Sequence, residues 1–131
     1  MIKKTITIIC FFVAIIVAGY FESKYVITSF DNLVKELYTI KEELALNKEK
    51  IDSETNVQTL KTIHKNWQKR TKILKFFVWH TGFKDVEIGL SRITSYTEEN
   101  DYTEAYTELN NLIDYCIHYC EDYKFNLQNI I

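Results

Sequence analysis

No proline occurs anywhere in the 131 residues, and the three glycines, Gly19, Gly82 and Gly89, stand apart from one another. A β-sandwich or barrel needs turn residues every ~8–12 positions, and this chain lacks them. No Gly-rich phosphate loop can be written either. What remains is an all-α chain with long helices. With 47% apolar and 26% charged residues, the composition is that of a folded protein, not a disordered one.

The first 24 residues read as a membrane anchor and residues 25–131 as a helical bundle outside the cytoplasm. Thr5–Phe21 carries no charge. Seventeen helical residues rise ~25 Å, the short end for a span. The residues that would meet lipid are Ile6, Ile8, Ile9, Phe11, Phe12, Val13, Ile15, Ile16, Val17, Tyr20 and Phe21. The rival is a cleaved signal peptide, with Val17-Ala18-Gly19 as the small-residue cleavage site. Retention is favoured because the helical pattern continues past Gly19 without a loop. Lys3 and Lys4 place the N-terminus in the cytoplasm, giving a single-pass cell-membrane protein with its C-terminal domain outside.

From Val26 the apolar residues fall at 26, 30, 33, 37, 40, 44 and 51, alternating steps of four and three. That is a bundle or coiled-coil seam. It closes within one chain or pairs between copies, which leaves a homo-oligomer open. The spacing predicts one unbroken helix from the span to about Glu49, a second over 56–81, a third over 85–98 and a fourth over 102–124. Short connections make neighbours antiparallel. Gly82 is expected as the stop after the second helix, and Asp101 with Glu104 as a capping box for the fourth.

The net charge of −2 hides an asymmetry. Residues 55–84 hold six Lys and Arg70 with no acid, whereas 85–131 hold ten acids against Arg92 and Lys124. Lys61, Lys65, Lys69 and Lys72 form a stripe, which the acidic helices of the same chain are expected to neutralise. If the second helix descends to the membrane, Lys72, Lys75, Phe76 and Trp79, with Phe83 and Lys84, would touch anionic headgroups. This is the alternative reading of the chain, a lipid-surface module; the rival is a covered bundle end. Nucleic acid is not an expected partner, because the bundle is not basic overall.

No catalytic constellation is present, so the chain is not expected to be an enzyme, nor to hold a cofactor or metal. Cys116 and Cys120 fall on the apolar face of the fourth helix and read as buried free thiols. Asp114 and His118 read as a solvated ion pair. Arg92 is expected to bridge to Glu87, Glu99 or Glu108. Trp67 reads as a core anchor. The five tyrosines of the fourth helix line a groove or fill the bundle.

Trp67, Leu74, Phe77, His80, the run Val86-Glu87-Ile88-Gly89-Leu90-Ser91-Arg92-Ile93, Tyr96, Asp101, Glu104-Ala105, Glu108-Leu109-Asn110-Asn111-Leu112, Ile117-His118 and Leu127-Gln128-Asn129-Ile130-Ile131 carry a resemblance. They resemble a family of small single-span helical proteins from low-GC Gram-positive, spore-forming bacteria that bears a domain-of-unknown-function label. The resemblance implies a membrane-associated accessory role beside another membrane protein, with Trp67, His80, Glu87, Arg92 and Asn110 as interaction or structural residues.

Overall fold

The computed structural model describes residues 1–77 and 82–130, with side-chain surroundings for 1–75 and 82–125. Four helices follow in order: α1 (Ile2–Leu46), α2 (Glu54–Phe77), α3 (Gly82–Glu98) and α4 (Tyr102–Ile130). They form an up-down-up-down bundle in which α1 packs on α2 and α4, and α3 packs on α2 and α4.

The 45 residues of α1 extend about 68 Å. Residues 1–21 are exposed on every side. From Val26 the helix becomes one-sided. Val26, Phe30, Leu33, Leu37, Ile40 and Leu44 are all buried, and Ile51 in the following loop joins them. The seam is therefore filled by the chain's own helices. Facing it are Leu60, Ile63, Trp67, Thr71 and Leu74 of α2, Val86, Leu90 and Ile93 of α3, and Ala105, Leu109, Ile113 and Cys116 of α4.

The helix ends are built from local polar chemistry. Ser53 caps α2, its Oγ accepting from the Asn56 N–H at 3.2 Å. Asp101 caps α4, its Oδ1 accepting from the Glu104 N–H at 3.2 Å. Between α3 and α4, Asn100 adopts the left-handed region at φ 58°. The Asp101 N–H reaches back to the Tyr96 carbonyl and the Asn100 N–H to that of Thr97, the paired bonds of a Schellman stop. The Asn100 side chain then crosses to the other distal loop. Its Oδ1 accepts from the Ile51 N–H at 2.8 Å, and its Nδ2 donates to the Glu49 carbonyl at 2.9 Å. One residue thus ends a helix and ties the two loops at that end of the bundle.

Three expectations are corrected. Helix α3 starts at Gly82, so this glycine opens a helix instead of closing one, and its φ is not positive. Phe83 is 2% exposed and belongs to the core, not to a surface contact. Helix α4 continues past Lys124 to Ile130.

Asn100→Gly should destabilise the bundle by about 1–2 kcal/mol through the two lost loop bonds. Asn100→Ala should cost roughly 1 kcal/mol more, because alanine also resists the left-handed backbone. Urea unfolding of the two variants in detergent checks both the sign and the order.

Candidate functional site

One aromatic ring from each helix meets at a single level of the bundle. Phe30 of α1 stacks on Tyr119 of α4 with centroids 4.5 Å apart, and Trp67 of α2 meets the Phe30 ring edge to face at 5.0 Å. Phe83 of α3 closes the group, 6.0 Å from Phe30 and 5.9 Å from Trp67. Gly82 makes this closeness possible. A Cβ there would lie 2.8 Å from Tyr119 Cε2 and 2.9 Å from the Tyr115 hydroxyl, while Tyr115 donates to the Gly82 carbonyl at 3.1 Å. The glycine serves a tertiary contact, which is why its resemblance to a helix stop misleads. Gly89, about two turns farther along α3, has a similar role, with Leu112 Cδ1 3.1 Å from its would-be Cβ.

Trp67 is fully buried within this cluster, so it acts as a core residue and offers no surface. Its indole N–H finds no acceptor among the described residues. Beside the cluster, Cys116 and Cys120 are buried and free, as their spacing implies. Burial, with the neighbouring Cys120, pushes the Cys116 thiol up to about 12. Burial also pushes the Tyr119 phenol well above its usual range, and Tyr115 and Tyr123 add to the effect. Cys120 Sγ lies 3.9 Å from the Asp31 carboxylate. Among the described residues no group of three His, Cys, Asp or Glu is placed to hold a metal ion.

The tyrosines of α4 do not share one groove. Tyr102 and Tyr106 lie 5.4 Å apart toward the distal end, under the ammonium groups of Lys48 and Lys41. Tyr115 and Tyr119 belong to the Gly82 contact, and Tyr123 engages the Ser23 side chain of α1.

The basic stripe of α2 is only partly neutralised. The ion pairs among the described residues are Lys61–Glu98 at 3.6 Å and Arg70–Glu36 at 3.1 Å. The Arg70 pair is half-buried and joins α2 to α1, a contact that the residue pattern does not single out. Lys65, Lys69, Lys72 and Lys75 line a groove between α2 and α3 with Gln68, Thr71 and Glu87, and all four lysines stay exposed. The structure therefore brings Glu87, Lys72 and Lys75 to one face. It does not bring Arg92 or Asn110 there. Arg92 is exposed and enters neither ion pair, so its expected bridge to Glu87, Glu99 or Glu108 is not formed. Asn110 is half-buried on α4. His118 is not paired with the Asp114 carboxylate; its Nδ1 meets the Asp114 main-chain carbonyl at 2.7 Å, a bond within its own helix. The side chain of Phe76, and Trp79 and His80 altogether, lie outside the described residues.

Among the described residues one helix, α1, is long and apolar enough to cross a membrane. Ile6, Ile8, Ile9, Phe11, Phe12, Val13, Ile15, Ile16, Val17, Tyr20 and Phe21 are all exposed on it, between 46% and 69%.

Gly82→Ala should destabilise the bundle by about 1–3 kcal/mol through overpacking, whereas Gly19→Ala, with nothing within 4 Å, should not. Thermal unfolding of the two variants separates these outcomes. The thiol shift carries its own sign. In the unfolded chain Cys116 ionises near the ordinary value of 9.0, in the bundle only near 12. The unfolded state loses its proton first, so stability should be intact below pH 9 and fall as pH rises through this window. Urea midpoints at neutral and alkaline pH measure it, and Cys116→Ala should flatten the slope.

No curated protein and no solved structure matches the chain. A family model does, over residues 20–130, which takes in the whole bundle and the end of the apolar run. The chain belongs to the DUF4363 family, a domain of unknown function.

Proposed function

We propose that the protein is a single-span membrane protein whose helical bundle stands outside the cytoplasm as an accessory module for another membrane protein, with no catalysis of its own. The observation that carries this reading is the change of character along α1. The helix is apolar and exposed on all sides over its first 21 residues, then runs without a break into the buried seam of the bundle. An apolar cylinder of that kind is costly in water and at home in hydrocarbon. Lys3 and Lys4 ahead of it favour a cytoplasmic N-terminus. The bundle offers surfaces for recognition rather than chemistry: a groove of lysines with Glu87, and a distal end faced with Tyr38, Tyr102 and Tyr106.

The expected behaviour is specific. The full chain should stay with membranes through alkaline carbonate extraction, and its mass should include residues 1–24. Protease added outside intact cells should digest the bundle. Crosslinking followed by mass spectrometry should recover one membrane protein in preference to abundant bystanders. Release by carbonate, or a mature chain starting near Tyr20, would overturn the anchor; recovery of bystanders alone would overturn the partner.

A further inference from the structure

We propose that the foot of the bundle rests on the membrane that α1 enters, with Lys72 and Lys75 holding anionic phospholipid headgroups and Ile73 and Phe125 seated in the same headgroup layer. This inference rests on the membrane-anchor reading above and adds a second attachment to it.

Register fixes the levels. Phe30 and Trp67 meet at 5.0 Å on antiparallel helices. Lys72 and Lys75 lie five and eight residues beyond Trp67, so about 8 and 12 Å nearer the apolar end. That places them level with Tyr25 and Glu22, where the uncharged run of α1 has just ended. The same count on α4, starting from Tyr119 stacked on Phe30, puts Phe125 about 9 Å down, level with Lys24. Because α2 and α4 both pack on α1, the two descending helices flank the apolar stretch at the height where headgroups would begin.

The side chains at that height suit an interface. Lys72 and Lys75 are exposed and enter neither ion pair of the described residues. Ile73 between them is 51% exposed, and Phe125 is 62% exposed. No acid occurs from residue 55 to residue 84, so the α2 side of the foot carries positive charge unopposed on its own helix. The acids nearby are Glu87 on α3, a single carboxylate in the groove that holds four lysines, Glu22 on α1, and Glu121 and Asp122 on α4. Preference for anionic lipid therefore belongs to the α2 side, and the α4 side contributes chiefly its ring. A lysine held near an anionic surface favours binding by roughly fivefold.

The test uses the full chain in vesicles of phosphatidylcholine with or without phosphatidylglycerol. The photo-crosslinking residue p-benzoylphenylalanine replaces Ile73, Phe125 or, as a distal control, Leu46. Lipid adducts are expected at positions 73 and 125 and not at 46. The yield at 73 should fall several-fold without phosphatidylglycerol, and likewise when Lys72→Glu and Lys75→Glu are combined. A chain that floats with the vesicles but gives no lipid adduct at 73 or 125 overturns the foot and spares the anchor. Equal yields at all three positions, or adducts in cell membranes that are protein and not lipid, overturn it too. A chain that does not float overturns the anchor reading itself.

Discussion

The contact among Phe30, Trp67, Phe83 and Tyr119 sets the register of the whole bundle. Aliphatic seams tolerate small sliding, because leucine and isoleucine present similar surfaces at each turn. Four rings, one from each helix, do not: stacked and edge-to-face geometries hold only within a narrow range of separations. Once the rings are in place, the charged pairings around them follow. Arg70, three residues past Trp67, reaches Glu36 on α1, and Lys61, nearly two turns before it, reaches Glu98 on α3. At the far end Asn100 holds the two loops. The bundle is thus pinned at one end by rings and at the other by an amide.

The features of this arrangement that repeat were legible in the residues. The three-and-four spacing from Val26 to Leu44 marks the buried face of α1 position by position, because a helix buries what its period dictates. Asp101 with Glu104 announces a helix start for an equally local reason. Trp67, expected as a core anchor of α2, is likewise buried.

What was not legible depends on neighbours distant in the chain. Gly82 looks like a helix stop, because glycine often is one, yet here it makes room for Tyr115 and Tyr119, 33 and 37 positions away. Phe83 beside it looked like an interface aromatic for want of any sign that α3 began one residue earlier. Arg92 had three plausible acids within reach by sequence and turned outward, while the half-buried guanidinium proved to be Arg70. Charge counting showed that α2 was basic; it did not show which lysines the other helices would reach. The candidate face that emerged, Glu87 with Lys72 and Lys75, joins residues noted for unrelated reasons.

The unbroken α1 has a mechanical meaning. A proline or a loop between its apolar and one-sided halves would let the bundle turn freely, and neither is present. The helix is a single lever with no slack. A tilt of about ten degrees in the apolar half would swing the Asn100 end, ~30 Å farther along, by roughly 5 Å, and a twist about the helix axis would carry the other three helices round with it. Any tilt or twist imposed on the first twenty residues is thereby carried to loops that never touch them.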